Sequence, residues 1–134
     1  MKTIYTIFIA LLFMLSCAGH KVETISAKEF QEKYKTQSEA VLLDLRTSEE
    51  ISEGMIEGAT QLDFHNPEFN DELLELDRSK TYFVYCAAGG RSGRTAQIMR
   101  ENGFTSVYDL DGGISNWKES GLPVVMNIKD TTGN

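Results

Sequence analysis

Cysteine is scarce in this chain: there are two among 134 residues, Cys17 and Cys86. So few thiols leave no disulfide framework to read. Basic residues are also the minority, 13 against 20 acidic, giving a net charge of −7. Nucleic-acid binding wants a basic face, which this balance does not supply, whereas an acidic surface favours solubility and weakly repels anionic headgroups. Repeats and low-complexity tracts are absent, and the chain has the length of one domain with one real core. Long apolar runs are lacking as well, with one exception. Ile4 to Leu15 is almost wholly apolar after the weakly basic start Met1-Lys2-Thr3. About a dozen residues fall short of the roughly 20 that span a bilayer but suit the core of a signal peptide.

The residues at the end of that run decide the address. Leu15-Ser16-Cys17-Ala18 resembles a bacterial lipobox, in which the cysteine becomes the lipidated first residue of the mature chain. Cleavage after Ala18, which would discard Cys17 and release a soluble protein, is the competing reading, and an uncleaved anchor is the third. The favoured division is a lipoprotein-type signal peptide over 1–16, a short tether over 17–24, a folded domain over 25–126 and a C-terminal tail over 127–134. The expected location is extracytoplasmic, in the bacterial periplasm or cell envelope, held by the lipid on Cys17. Stray thiols tend to be oxidised there. With Cys17 acylated or removed, Cys86 has no intramolecular partner and no cysteine-based metal site exists. An unpaired cysteine in an exported protein points to a reactive thiol or an intermolecular bond.

Cys86 sits where such a thiol would be activated. It ends the aromatic and β-branched run Thr81-Tyr82-Phe83-Val84-Tyr85, a buried-strand pattern, and opens Ala87-Ala88-Gly89-Gly90-Arg91-Ser92-Gly93-Arg94. A helix is predicted from Ser92 to Asn102. Unpaired amides and a helix dipole favour negative charge at such a junction, and thiolate is the reactive form of cysteine. A buried cysteine that merely packs is common. Nearby Arg91 and Arg94 favour chemistry instead, because an anionic nucleophile with an anionic substrate has use for them.

The remaining pattern alternates short strands with helices. Val22–Ile25 reads as a strand, and Ser26-Ala27-Lys28-Glu29 as a capping box opening a helix with Phe30 and Tyr34 on one face. Ala40–Leu43 is a continuous apolar run ending at Asp44, as for a strand buried on both faces. Ser48–Glu53 suits a turn or two of helix stopped by Gly54. Asn66-Pro67 predicts a helix start, with asparagine as cap and proline as first residue, and Phe69, Leu73 and Leu76 on one stripe. Ser106–Leu110 is another strand, and Gly112-Gly113 opens a last helix around Trp117. Such alternation predicts an α/β fold, a mainly parallel sheet with helices on both faces. Ligands in such sheets bind beyond the carboxyl ends of strands, where Cys86 falls.

In order along the chain, Asp44-Leu45-Arg46, Glu50-Ile51, Gly54-Met55-Ile56-Glu57-Gly58-Ala59, Tyr85-Cys86-Ala87-Ala88-Gly89-Gly90-Arg91-Ser92, Leu110-Asp111-Gly112-Gly113-Ile114, Trp117 and Gly121-Leu122-Pro123 resemble a rhodanese domain. The resemblance runs from about Ile25 to Val125. It implies a rhodanese-like five-stranded sheet and a sulfurtransferase. In that family the cysteine takes a sulfane sulfur from a donor such as thiosulfate, becomes a persulfide, and passes the sulfur to cyanide or a thiol. Cys86 is then the nucleophile. Ala87, Ala88, Gly89, Gly90, Arg91 and Ser92 form the substrate-binding cradle, whose amides face the terminal sulfur. Arg91 closes the loop and binds an anionic donor. Ser92 is expected to cap the next helix, with its side chain able to face the site. Asp44 and Arg46 are expected to be structural support, as an ion pair beside the loop. Arg94 and the lone His65 carry no assigned role. The implied cofactor is none beyond the covalent persulfide, and no metal. The implied partners are a small-molecule sulfur donor, a thiol or cyanide acceptor (a protein thiol included) and a membrane reached through the lipid, with no nucleic acid and a monomeric state.

Two departures bear on this reading. Gly54-Met55-Ile56 stands where Gly-His-Ile is usual, a structural position. Ala87 and Ala88 are neutral where some thiosulfate-active members carry basic residues, which bears on donor preference rather than on persulfide formation. Tyrosine phosphatases, the first rival, place five residues between cysteine and arginine. Cys86 and Arg91 enclose four, a tighter cradle suited to sulfur. A non-catalytic rhodanese binding module is the second rival, and an extracytoplasmic thiol-redox protein is the third.

Overall fold

The computed structural model describes residues 19–126. The expected signal peptide, the lipidation site Cys17 and the tail over 127–134 lie outside the described residues. Five strands, β1 (Lys21–Ile25), β2 (Val41–Asp44), β3 (Thr60–Gln61), β4 (Thr81–Tyr85) and β5 (Ser106–Leu110), form one sheet in the order β1-β5-β4-β2-β3. Every neighbouring pair is parallel. Four helices connect them, α1 (Ala27–Lys35), α2 (Ser48–Ile51), α3 (Phe69–Glu75) and α4 (Gly90–Glu101), and α5 (Gly113–Glu119) follows β5. The α/β reading of the sequence holds. β1 begins at Lys21, inside the segment read as a tether, and Lys21–Ile25 pairs along its whole length with β5.

The side-chain alternation of β4 divides the core. Tyr82, Val84 and Cys86 join Leu43, Val107, Leu73 and Met99 on the face covered by α3 and α4. Phe83 and Tyr85 point the other way, toward Phe30 of α1 and Ile114 and Trp117 of α5. A strand buried on both faces needs an unbroken apolar run, which is how Thr81–Tyr85 is written. Phe83 meets Phe30 edge-on at 5.1 Å between centroids and stacks on Tyr108 at 4.9 Å. Such pairs each add about 0.5–1.5 kcal/mol beyond area burial. Because side chains alternate, the residue after Tyr85 returns to the α4 face. That places the Cys86 thiol under the start of α4.

Some local expectations need correcting. Asn66-Pro67 does not open a helix. Asn66 Oδ1 accepts the Glu68 amide at 3.0 Å and its carbonyl accepts the Phe69 amide at 2.9 Å. The pair makes an Asx turn, and α3 begins afterwards at Phe69. Ser26 makes half of the expected capping box, accepting the Glu29 amide at 3.3 Å. A complete box stands elsewhere, between Thr47 and Glu50 at the start of α2.

Candidate active site

The site is a loop between the end of β4 and the start of α4. Gly89 adopts φ +105°, a left-handed conformation that favours glycine, and serves as the backbone cap of α4. The turn folds the chain back over Cys86. The Gly89 amide donates to Sγ at 3.1 Å, the Ser92 amide approaches it at 3.5 Å, and the Ser92 hydroxyl lies 3.5 Å away. Burial pushes the thiol pKa up. Hydrogen bonds from the Ser92 hydroxyl and amide, and from the Gly89 and Ala88 amides, outweigh that and bring it below the ordinary thiol value. Amide donors aimed at one atom stabilise its anion.

The loop is braced from beneath by the start of α5. The Ile114 amide donates to the Cys86 carbonyl at 2.9 Å and the Ser115 amide to the Ala87 carbonyl at 3.1 Å. Fixing those two carbonyls fixes the direction of the next peptide planes, hence of the amides facing the sulfur. Gly113, at φ +63°, packs so closely that a Cβ there would collide with the Cys86 carbonyl and lie 2.6 Å from the Ala87 carbonyl carbon. Gly113 therefore has a geometric reason: it lets a second helix press its first turn against the loop.

Two arginine–carboxylate pairs flank the loop. Arg91 is held by Glu50 in a bidentate pair, at 2.9 and 2.6 Å, with both side chains partly exposed. Arg91 brings the Glu50 carboxyl down to about 2, the Thr47 bonds adding to the effect against burial. Glu50 foremost, and the charge of Cys86 after it, favour the charged Arg91 guanidinium, against burial. Farther back, Arg46 and Asp44 are buried together, with contacts of 2.7 and 3.0 Å. Arg46 also donates to the carbonyls of Gly54 and Glu50 at 2.8 and 3.2 Å. Asp44 Oδ2 accepts the Tyr85 hydroxyl, which in turn accepts the Ile56 amide at 3.1 Å. This knot ties the ends of β2 and β4 to the loop carrying Gly54 and Ile56.

A family model described as a rhodanese-like domain matches residues 26–120. The chain belongs to the rhodanese-like family. A protein named sulfurtransferase from Allochromatium vinosum is 31% identical over 104 residues, which cover 78% of this rhodanese and 95% of the relative. A thiosulfate sulfurtransferase from Glaesserella parasuis is 36% identical over 86 residues, covering 64% and 78% of the two chains. The crystal structure of a rhodanese-related protein from Thermoplasma volcanium superposes with a TM-score of 0.68 at 30% identity, covering 78% of this chain and 99% of that one.

Within this rhodanese fold Gly89 and Ser92 come to the Cys86 sulfur and Arg91 pairs with Glu50, while Ala88 and Gly90 are exposed. Ser92 is not the cap of α4. The helix begins two residues earlier at Gly90, and Ser92 is buried in its first turn, its hydroxyl donating to the Gly89 carbonyl at 3.3 Å. A glycine in a left-handed turn takes over as cap, which frees the serine side chain to face the sulfur. Arg94 and His65 are exposed. Among the described residues no group of three or more His, Cys, Asp or Glu side chains is placed to hold a metal ion.

Three contributors escape a sequence-only reading. Glu50 is paired with Arg91, and the spacing Thr47-x-x-Glu50 was the one clue to it. Tyr85 uses its hydroxyl on the Asp44 knot. Asp109, in the otherwise apolar centre of β5, is buried behind the site.

Proposed function

We propose that this rhodanese is a sulfurtransferase that moves a sulfane sulfur from a donor such as thiosulfate to a thiophilic acceptor, cyanide or a thiol, through a persulfide on Cys86. The observation that carries this reading is the convergence of the Gly89 and Ser92 amides and the Ser92 hydroxyl on one buried sulfur. Similarity to proteins named sulfurtransferase supports the same class of reaction.

The first half-reaction begins with the Cys86 thiolate attacking the outer sulfur of the donor. A new S–S bond forms to Cys86, the donor's own S–S bond breaks, and sulfite leaves with its electron pair. The persulfide's terminal sulfur carries the negative charge. Ala87 to Ser92 supply the amides for it, with Ala88 and Gly90 at the open side where a donor enters. Arg91 contributes positive charge near the sulfur, moderated by Glu50. In the second half-reaction the acceptor attacks the terminal sulfur, and Cys86 leaves as the thiolate that the cradle already favours. Asp44 and Arg46 act as structural support. The reaction needs no metal or organic cofactor.

The protein works as a lipid-anchored monomer outside the cytoplasm, through Cys17. Support for the anchor is the lipobox-like Leu15-Ser16-Cys17-Ala18 after an apolar run. Among the described residues no helix is long and apolar enough to cross a membrane.

Initial rates of thiocyanate formation, with thiosulfate and cyanide varied together, test the reaction. Parallel double-reciprocal lines are expected for two half-reactions that share a covalent intermediate. Intersecting lines, or full activity in Cys86→Ser, would contradict the proposal. For the anchor, Cys17→Ser is expected to move the protein out of the membrane fraction or stall its processing. Retained lipid labelling of that variant would contradict it.

A further inference from the structure

The lipid-bearing cysteine and the start of the sheet are close neighbours in the chain. Ala18, Gly19 and His20 alone separate Cys17 from Lys21, the first residue of β1. Even fully extended, the chain from Cys17 to Lys21 reaches only about 14 Å. β1 is itself fixed in the sheet. It pairs with β5 along its whole length, and the Lys21 amide donates to the Thr105 carbonyl at 2.9 Å. The sheet therefore begins within that reach of the lipid.

All strands run the same way, so their amino ends share one end of the molecule and the site stands at the other. Lys21 and Thr81 both register with Ser106, which makes them level. Cys86, just past the last residue of β4, lies about 17 Å farther along the sheet. At the amino end the connections 36–40, 76–80 and 102–105 form one surface. Arg78 Nε donates to the Asn102 carbonyl at 2.7 Å, and the Thr105 amide donates to the Arg78 carbonyl at 3.2 Å. Residues 36–40 and 79–81 line a single shallow groove. Charge there is near balance: Glu39 and Asp77 face Arg78 and Lys80, while Glu75 and Glu101 at the helix ends are offset by Lys35 and Arg100. The carboxyl end is acidic. First turns of α1, α2 and α3 hold Glu29, Glu49, Glu50, Asp71 and Glu72, against Lys28 and Arg91 in the corresponding turns of α1 and α4.

From this placement we propose that the amino end of the sheet rests on the bilayer surface and the Cys86 cradle opens away from it, so that donor and acceptor arrive as water-borne sulfane anions and thiols. The proposal rests on the lipidation of Cys17. Inverting the domain would lift Lys21 from the bilayer by the sheet's length and the loops beyond it, more than about 17 Å. The tether is too short for that. Electrostatics favour the same orientation. Anionic headgroups repel the acidic end when it comes within a Debye length, about 10 Å, and are nearly indifferent to the balanced one.

Full-length lipidated protein on vesicles of phosphatidylethanolamine and phosphatidylglycerol tests this. In a Cys86→Ser background, with the Cys17 sulfur occupied by lipid, one fluorophore is attached through Ser38→Cys at the amino end or Ala88→Cys at the cradle. Both positions are exposed. Lipids carrying a nitroxide on the headgroup quench at contact range. The Ser38→Cys probe is expected to lose most of its emission, and the Ala88→Cys probe to keep nearly all of it. Equal quenching, or stronger quenching at the cradle, would overturn the proposal. Should a label disturb its loop, Ser79→Cys and Ser115→Cys repeat the comparison with the same expected outcomes. Recovery on the vesicles is read separately. Protein left in the supernatant would overturn the lipid anchor and the orientation with it, whereas vesicle-bound protein with the probes reversed would overturn the orientation alone. A long glycine–serine insert between Gly19 and His20 is expected to abolish the difference between the probes; a difference that persists would remove the short tether as its cause.

Discussion

Two arginines stand at the carboxyl end of the sheet, each paired with a carboxylate, in opposite surroundings. Arg46 and Asp44 have side chains 4% and 0% exposed, and the pair is tied to backbone carbonyls and to Tyr85. Arg91 and Glu50 have side chains 19% and 32% exposed, and the guanidinium feels the charge of the reactive sulfur as well as that of its carboxylate. Similar contact lengths therefore have different consequences. The buried pair is a fixture: removing one partner strands a charge, and its many bonds define where β2, β4 and the Gly54 loop meet. Solvent competes for the exposed pair, which contributes little to stability and is free to exchange Glu50 for an anionic ligand. Rigidity and charge are thus supplied to the site by separate residues.

The largest effect that tests this division lies at the sulfur itself. Cys86→Ser is expected to reduce thiocyanate formation on the order of a thousandfold or more while leaving the denaturation midpoint close to wild type. Next, Arg46→Met is expected to destabilise the fold by about 3–5 kcal/mol in urea titrations, because Asp44 is left buried and uncompensated. Adding Asp44→Asn should recover part of that loss. A single Arg46 variant as stable as wild type would erase the distinction between the pairs.

Gly113→Ala comes third. Its Cβ would press on the Cys86 and Ala87 carbonyls from a left-handed backbone. A loss of about 2 kcal/mol is expected, with slower Cys86 alkylation because the cradle amides turn away. Glu50→Gln should have the smallest effect on stability, within about 1 kcal/mol. Its mark is in the pH dependence. Glu50 titrates at about 2 in the fold against an ordinary 4.5, so it stabilises the protein above pH 4.5 and the contribution is lost as pH falls toward 2. The variant should lack that part of the acid limb. It should also use thiosulfate at lower concentrations, because Arg91 is released toward the donor.

Much of the fold was legible because burial on both faces leaves a plain mark: Val41–Leu43 and Tyr82–Tyr85 are unbroken apolar runs, and both are strands. The cradle was legible for a similar reason, since glycines after a strand-end cysteine have few other uses. Asn66-Pro67 misled because an Asx turn and a helix cap begin with the same residues, and only the chain beyond decides between them. Ser92 misled because serine is a favoured cap, yet Gly89 in a left-handed turn starts the helix sooner. β3 has two residues, too short for periodicity to reveal. The Glu50–Arg91 and Asp109–Thr24 contacts join residues from different elements, and no local pattern encodes such distances.

The most direct test of the Cys86 sulfur carrier is the intact mass of the purified domain starting at His20, before and after thiosulfate. A gain of one sulfur mass that reductant removes, and that Cys86→Ser never acquires, is the expected result. An unchanged mass with thiosulfate and with every other sulfane donor tried, or a gain that persists in Cys86→Ser, would contradict it.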